Sequence, residues 1–438
     1  MSDTLDHLAD LAAFVEASPS SYHAVAEAAR RLTAASFTEL AEVDEWPTGV
    51  GRFFVIRDGA IVAWITPPSA GPTTPFRIVG AHSDSPGFVL KPRPVTVSHG
   101  WLQAGVEVYG GPLLNSWLDR ELEFAGRLVF EDGTTSLVRT GPVLRFPQLA
   151  VHLDRSVNTD GLVLNPQVHM NPVIGVIDST RADLARVDLA RADLARVDLI
   201  ARLATLAGRP EARVVGYDIV VADTAAPRVF GIDGDLFASG RLDNLGSVHA
   251  GLTALLTAPE STAPESGAIT VFAAFDHEEV GSESTSGAAG SFLEDVLVRL
   301  SPDPVARARA FAASWCLSAD AGHAVHPNYP ERHDPANRPI VNGGPLLKIN
   351  ANQRYATDAL GAAEWARACG RAGVRFQEFV SSNAVPCGST IGPITATRLG
   401  IRTIDVGIPL LSMHSARELC GVEDPFSLAR AVHAFITA

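Results

Sequence analysis

The 438-residue sequence has little that would place the protein outside a reducing compartment or within a membrane. It contains four cysteines and no C-x-x-C pair. Their even number leaves disulfides open, but the long spacing favours free, buried thiols. No apolar run approaches the ~20 residues of a membrane-spanning helix. The acidic amphipathic N-terminus also lacks the basic and apolar regions of a signal peptide. We therefore expect a soluble, cytoplasmic protein.

Basic residues are also in deficit. Lys and Arg total 35 against 49 Asp and Glu, which gives a formal net charge of −14. This balance argues against nucleic-acid partners and against an anionic membrane surface, because both require a basic face. An acidic small ligand could bind only in a local pocket of positive charge. The 46% hydrophobic content provides for a sizeable core, and the length is typical of a large domain with a smaller one.

Periodic segments predict an α/β protein with a mostly parallel sheet sandwiched by helices. The predicted strands are RFFVIRDG, AIVAWITP, FRIVGAH, AITVFAAFD, SWCLSAD and IRTIDVGIP. Between residues 92 and 235 the pattern changes to short strands and turns, with a hairpin signal at Asp132-Gly133. We therefore predict a split domain formed by 1–91 and 236–438, with an inserted β-rich domain at 92–235.

The inserted segment contains a tandem repeat, RADLARVDLA followed by RADLARVDLI, at Arg181–Ile200. Its five-residue period is compatible with one coil of a β-solenoid. A single coil cannot bury its own apolar face, however. We favour a low-complexity expansion that forms a charged surface helix or loop.

Five motifs place metal-binding or proton-transferring side chains at or just after strand ends, where open α/β sheets bind ligands. The motifs are AHSDSP, SGRLDN, DHEEVG, SADAGHAVHPNY and SMHSARE, and their candidate residues are His82, Asp84, Asp243, Glu278, Glu279, Asp320 and His414. Each motif alone has an ordinary explanation, such as a capped turn, an N-cap or a solvated acidic loop. Together, two histidines and three carboxylates with one further glutamate suit a pair of zinc ions.

In combination these motifs resemble those of the aspartyl aminopeptidases, a family of peptidases with two co-catalytic zinc ions. The resemblance spans about Gly80 to Glu418 in family order. The matching runs are GAHSDSPGF, SWLDRELEFAGR, RFPQLAVHL, SGRLDNL, DHEEVGS, SADAGHAVHPNYPERH, GPLLKINANQRYATD, PCGSTIGPITATRLG and LLSMHSARE. Two departures are the Ala321-Gly322 pair, which replaces a bulkier pair, and the 181–200 repeat.

The resemblance implies a role for each matching residue. One zinc ion would be held by His82, Asp243 and Asp320, and the second by Asp243, Glu279 and His414, with Asp243 as the bridge. Glu278 would be the general base, Asp84 would orient His82, and His152 would reach a neighbouring subunit's active site. Other divalent metals such as cobalt or manganese are expected to substitute for zinc. His152 has a second interpretation, as a metal ligand together with His82 and His414.

The resemblance further implies a zinc-peptidase catalytic domain at 1–91 and 236–438, with a dimerisation or lid domain at 92–235. It implies a homo-oligomer of dimers, a dodecamer among the options, and a preference for N-terminal Asp or Glu. Lys348 is the candidate cation for the acidic side chain, with Tyr355 and His323 as further donors. Lys348 could instead be a surface lysine whose aliphatic stem covers apolar neighbours.

We therefore predict a metallo-aminopeptidase in which Glu278 takes a proton from water and passes it to the leaving amine. Two alternatives are kept. The first is a two-zinc deacylase of N-acyl amino acids, which would need a pocket for an acylated nitrogen. The second is an inactive scaffold whose function is its assembly.

Overall fold

A computed structural model describes residues 2–177, 198–258 and 267–438. The chain forms two compact units. The first unit comprises Met1–Ser85, Ala226–Met413 and Glu418–Ala438, and the second comprises Pro86–Ala225 and His414–Arg417. The 181–200 repeat lies outside the described residues except for its last three positions.

The helices are α1 (Ser2–Ala17), α2 (Ser21–Ala34), α3 (Val157–Asp160), α4 (Leu199–Leu206), α5 (Leu242–Thr257), α6 (Phe292–Leu300), α7 (Pro304–Ala313), α8 (Ala359–Ala372), α9 (Ile391–Leu399) and α10 (Asp424–Ile436). Short 3-10 turns occur at Leu114–Trp117, Glu278–Val280 and Pro330–Arg332. Within the described ranges, every helix is too short or too polar to span a membrane.

The strands are β1 (Thr38–Glu39), β2 (Gly51–Arg57), β3 (Ala60–Thr66), β4 (Phe76–His82), β5 (Gly87–Ser98), β6 (Trp101–Tyr109), β7 (Leu122–Phe130), β8 (Thr135–Arg139), β9 (Val173–Val176), β10 (Val214–Asp223), β11 (Arg228–Phe230), β12 (Leu236–Ser239), β13 (Ile269–Phe275), β14 (Trp315–Ala319), β15 (Gly322–His323), β16 (Leu346–Ile349), β17 (Gln377–Val380), β18 (Arg402–Gly407), β19 (Pro409–Leu410) and β20 (Glu418–Gly421).

The first unit is built on a nine-stranded sheet in the order β1-β2-β3-β13-β4-β14-β18-β16-β17. Its centre, β13-β4-β14-β18, is parallel throughout. Antiparallel pairs occur between β2 and β3, β3 and β13, and β16 and β18. The sheet is therefore mixed and mostly parallel, and the predicted fold class is confirmed.

Both faces of this sheet are covered by helices. Along β4, Ile78 belongs to a core that includes α6, α7 and α9, whereas Val79 belongs to a core that includes α1, α2, α5, α8 and α10. Along β13, Phe272 belongs to the same core as Val79, and Phe275 belongs to the same core as Ile78. Burial on both faces explains why these strands have continuous apolar sequences.

The second unit is built on a six-stranded antiparallel sheet in the order β8-β7-β10-β5-β6-β9. Its core includes Phe88, Phe124 and Phe146, all fully buried. The β7–β8 hairpin turns at the predicted Asp132-Gly133 pair, where Gly133 has a φ of +81°. That left-handed conformation favours glycine.

The two units differ in their boundaries from the predicted split at 92 and 235. Residues from Pro86 belong to the second unit because β5 pairs with β6 along most of its length and with β10 at Phe88 and Val89. Residues from Ala226 belong to the first unit because β12 pairs with β11 and β20. The catalytic and dimerisation roles of the two parts stay predictions.

The cysteines are free, as their spacing favours. Cys316, Cys369 and Cys420 are buried, and Cys387 is half-buried.

Candidate metal centre

Three adjacent parallel strands bring the central motifs to one edge of the nine-stranded sheet. Strand β4 lies between β13 and β14, and His82 at its end is in register with Phe275 at the end of β13. The two glutamates follow β13 in a 3-10 turn, and Asp320 follows β14. Since all three strands run the same way, their C-terminal ends present these side chains side by side.

Three candidate ligands converge there. Donor atoms of His82, Asp243 and Glu279 all lie within 4.8 Å of one another. Asp243 stands at the start of α5 in a non-helical conformation, with φ −80° and ψ 101°. Its backbone is fixed from two sides. Its amide donates to Oε2 of Glu418 at 2.9 Å, and its carbonyl accepts from the Ser85 hydroxyl at 2.7 Å.

His82 is surrounded by carboxylates. Its Nε2 lies 3.2 Å from Oδ1 of Asp243 and 3.5 Å from Oδ1 of Asp320, while its Nδ1 lies 3.3 Å from Oδ1 of Asp84. Burial lowers the pKa of His82. Hydrogen bonding to these three carboxylates outweighs burial, and the pKa is raised well above its ordinary value.

Asp84 links the end of β4 to the turn that follows β13. Its two carboxylate oxygens accept hydrogen bonds from the backbone amides of Glu278 and Glu279, each at 3.1 Å. Oε2 of Glu278 lies 3.9 Å from Nε2 of His82. Burial, together with the charges of Asp320, Asp84 and Asp243, raises the pKa of Glu278 to about 7 against the opposing charge of His82.

The donor set fits zinc. Imidazole nitrogen and carboxylate oxygen are the ligands that zinc accepts at catalytic sites. Several buried carboxylates around one histidine create a negative potential that a divalent cation would neutralise. Asp84 beside Nδ1 of His82 is the arrangement that orients a ligating imidazole.

Lys348 lies next to this cluster and is nearly fully buried, with an exposure of 1%. It is therefore not a surface lysine. Its ammonium donates to Oδ2 of Asp320 at 3.0 Å and to the carbonyl of Ala321 at 2.6 Å, and it lies 5.3 Å from the centre of the Tyr355 ring. His323 is exposed on β15, with its ring 6.1 Å from that of Phe379.

The remaining two predicted residues belong to the second unit. His152 is exposed in a segment between β8 and α3. His414 is half-buried and has a φ of 65°; its Nδ1 lies 3.0 Å from the carbonyl oxygen of Gly111. Their roles as substrate contact and metal ligand stay predictions.

The buried carboxylates of Glu418 and Asp405 were not singled out from the sequence. Glu418 accepts a hydrogen bond from the Asp243 amide, and Asp405, in the middle of β18, accepts one from the amide of Ala356, which follows Tyr355. The available signal for Asp405 was an acid inside the apolar strand IRTIDVGIP. A buried carboxylate is unfavourable without hydrogen-bond donors.

A family model described as Aminopeptidase I zinc metalloprotease (M18) matches residues 14–436. The chain belongs to the M18 family of zinc aminopeptidases. The "Probable M18 family aminopeptidase 2" of Streptomyces avermitilis is 53% identical over 98% of this chain and 97% of its own length. The predicted resemblance to aspartyl aminopeptidases is confirmed at the level of the family, as is the prediction of a zinc-dependent exopeptidase.

Solved structures agree with this M18 assignment. The structure of the Ape4 and Nbr1 complex matches with a TM-score of 0.92 at 35% identity, over 99% of this chain and 86% of that one. The S. cerevisiae mApe1 dodecamer matches with a TM-score of 0.82 at 28% identity, over 97% of this chain and 95% of that one. The M18 fold thus extends through both units of this chain.

Proposed function

We propose that this M18 aminopeptidase removes acidic residues from peptide N-termini at a site built for two zinc ions. The observation that carries the proposal is the convergence of His82, Asp243 and Glu279, whose donor atoms lie within 4.8 Å of one another. Oδ1 of Asp243 and Oδ1 of Asp320 both lie near Nε2 of His82, at 3.2 and 3.5 Å. This geometry supports Asp243 as a ligand shared by two ions.

His82, Asp243 and Asp320 would hold the first ion, and Asp243, Glu279 and His414 would hold the second. Cobalt or manganese would substitute, because both accept the same nitrogen and oxygen donors. When bound, the zinc pair supplies Lewis-acid chemistry that lowers the pKa of water and polarises the carbonyl group of the substrate.

Glu278 moves the proton. Its carboxylate takes a proton from the attacking water and delivers it to the amine that leaves. Asp84 supports this role because its hydrogen bonds to the amides of Glu278 and Glu279 fix the turn that presents both glutamates. The two adjacent glutamates have different roles: Glu279 binds metal and Glu278 faces the substrate.

Lys348 provides the cation for an acidic substrate side chain. A lysine ammonium has three donors, and the Asp320 and Ala321 contacts use two of them. In an acidic protein, a buried ammonium beside the metal cluster favours a carboxylate over a neutral or basic group. Tyr355 and His323 add polar groups to the same pocket.

The protein acts as a homo-oligomer in which His152 contributes to a neighbouring active site. One structural relative is a dodecamer. His152 is exposed, and its neighbours Leu149, Val151 and Leu153 are 58%, 50% and 75% exposed. An exposed apolar run of this kind favours burial against another subunit.

An assay of the zinc-loaded protein against p-nitroanilides of different amino acids tests the proposal. We expect the highest kcat/KM with Asp or Glu, and no turnover of N-acetyl-Asp-p-nitroanilide. Turnover of the acetylated compound but not of the free amine would replace the aminopeptidase mechanism with that of a deacylase. Equal rates with Asp and Ala would contradict the acidic preference alone.

A further inference from the structure

Asp405 is a fully buried carboxylate in the middle of β18, and the metal centre does not use it. Its Oδ1 accepts a hydrogen bond from the hydroxyl of Thr390 at 2.5 Å, and its Oδ2 accepts one from the backbone amide of Ala356 at 2.6 Å. Its own amide donates to the hydroxyl of Thr357 at 2.9 Å. One side chain therefore fixes two separate segments of the chain.

The first of these segments carries Tyr355, which directly precedes Ala356. The second ends at Thr390, the N-cap of α9, whose hydroxyl also accepts from the amide of Gly392. The two segments are cross-linked beyond Asp405. Nε of Arg354 donates to the carbonyl of Gly388, and the Ser389 hydroxyl donates to the carbonyl of Arg354, both at 3.4 Å.

Asp405 also interacts electrostatically with Lys348. Burial raises the pKa of Asp405, whereas the hydrogen bonds from Thr390 and Ala356 and the charge of Lys348 lower it. The ammonium of Lys348 lies over the ring of Tyr355, at 5.3 Å from its centre. Tyr355 therefore connects Asp405, which holds the next residue, Ala356, to Lys348, which lies over its ring.

We propose that Asp405 is a positioning residue for substrate selection: by holding Ala356 and Thr390, it fixes the adjacent Tyr355, whose ring lies under the ammonium of Lys348, and so sets the geometry of the two side chains that distinguish the first residue of the substrate. This inference rests on the proposed function, because it uses the pocket assigned there to the acidic side chain. Asp405 itself bonds to Ala356, Thr390 and Thr357 and to none of the proposed metal ligands, so we expect changes at Asp405 to affect selectivity more than metal binding.

The test compares substitutions at both ends of these hydrogen bonds in the zinc-loaded, full-length protein. Asp405→Asn keeps the size of the side chain, but its single carbonyl oxygen can accept from Ala356 or from Thr390, not from both. Thr390→Val removes one of the two bonds and keeps Asp405. Thr390→Ser retains the hydroxyl and is the matched control.

The readout is the ratio of kcat/KM for the preferred amino-acid p-nitroanilide to that for Ala-p-nitroanilide, measured with zinc content and melting temperature. We expect Asp405→Asn to lower this ratio about tenfold or more, mainly through KM, since a misplacement of about 1 Å can cost ~100-fold. Thr390→Val should lower it less, and Thr390→Ser should match the wild type. Zinc content should not change.

An unchanged ratio in both Asp405→Asn and Thr390→Val would overturn the proposal. Equal losses on both substrates, in step with the melting temperature, would also overturn it and assign Asp405 a purely structural role. If Asp405→Asn does not fold, Thr390→Val and Thr390→Ser decide the matter by themselves. The proposed acidic preference can fail independently of Asp405. In that case the wild-type enzyme prefers another N-terminal residue, and the ratio of kcat/KM for that residue to kcat/KM for Ala still tests Asp405.

Discussion

Oδ1 of Asp84 accepts a hydrogen bond from the backbone amide of Glu278 at 3.1 Å, across a sequence separation of 194 residues. The other oxygen of the same carboxylate accepts from the amide of Glu279 at 3.1 Å. Since Oδ1 also lies 3.3 Å from Nδ1 of His82, one side chain fixes the orientation of a candidate metal ligand and of the candidate base.

Asp84→Asn should weaken zinc binding without unfolding the protein. The asparagine side chain keeps only one acceptor oxygen. Its NH2 group replaces the other oxygen and would face either a backbone N–H group or His82. Changes to residues that orient metal ligands typically cost about 10–100-fold in metal affinity. Zinc retention after dialysis against graded chelator concentrations measures the loss. The exposed Glu39→Gln variant is the control, and equal retention in both variants would contradict the orienting role.

Glu278→Gln should separate proton transfer from metal binding. The variant keeps size and hydrogen bonding but cannot take a proton, so kcat should fall by about 10²–10⁴-fold, the usual contribution of a general acid–base group. Zinc content by mass spectrometry should equal that of the wild type. A variant that keeps most of its activity would assign the proton transfer to another group.

The strands that hold the metal centre could be predicted because both of their faces are buried. FRIVGAH is predicted as a strand and is β4, residue for residue, and its polar end carries His82. Apolar runs that stop at polar residues mark the edge of the sheet where ligands bind. AITVFAAFD and IRTIDVGIP, also predicted as strands, contain β13 and β18.

Other parts depend on tertiary contacts that sequence patterns do not report. Helix α9 begins IGP, and glycine and proline are poor helix formers; its N-cap Thr390 is held by Asp405 from β18. The hydrogen bond between Glu418 and Asp243 joins residues that are 175 positions apart in the sequence, and no local pattern predicts it.

Lys348→Met should reduce the preference for acidic substrates. Methionine keeps the length of the side chain and removes the charge, so kcat/KM for Asp-p-nitroanilide should fall about 10-fold or more relative to Ala-p-nitroanilide, the size expected for a hydrogen bond to a charged group. The buried pair with Asp320 makes some loss of stability expected, about 3–5 kcal/mol when one partner of a buried pair is removed.

The result for Lys348→Met needs one further measurement and one control variant. Zinc content shows whether Asp320 still binds metal when its lysine partner is gone. Lys91→Met in the second unit is a matched substitution outside the pocket and should leave the Asp-to-Ala ratio at the wild-type value. A Lys348→Met enzyme with full zinc and an unchanged ratio would mean that the acidic side chain is bound elsewhere.

His152→Ala should inactivate the enzyme, and mixed oligomers with a second inactive variant should regain part of the activity. If His152 serves a neighbouring site, a mixed oligomer of His152→Ala and Glu278→Gln chains contains sites with a normal Glu278 and a normal partner histidine. Random pairing across a two-fold interface would restore roughly a quarter of the sites. Co-expression with two affinity tags provides the mixed species. Activity no greater than the sum of the separate variants would contradict the contribution in trans.

Four side chains at the junction of α1, α2 and α5 form a polar cluster away from the strand ends, in which the two histidines are buried and Asp10 is exposed. Nε2 of His249 lies 2.7 Å from Oδ2 of Asp10, and that carboxylate is also 2.7 Å from Nη1 of Arg31. The ring of His7 lies 4.8 Å from that of His249 and 5.4 Å from that of Phe426 on α10. Burial and the charge of His249 lower the pKa of His7 to about 3, against the opposing effect of Asp10.

This cluster should make stability fall in mild acid. Because the pKa of His7 is lower in the folded state than its ordinary 6.5, its contribution is complete above pH 6.5 and is lost as pH falls toward 3. One proton taken up on unfolding corresponds to at most about 1.4 kcal/mol per pH unit. Burial raises the pKa of Glu278, Asp276 and Asp424 into the same pH range, and these groups oppose the effect of His7 in the wild type. Urea unfolding of the zinc-free protein at pH 6.5, 5.75 and 5.0 should therefore show the His7 contribution as a difference: relative to the wild type, His7→Leu should gain stability as the pH falls. The exposed His99→Gln variant should retain the wild-type slope. If His7→Leu and the wild type lose stability in parallel, the acid sensitivity arises from other groups.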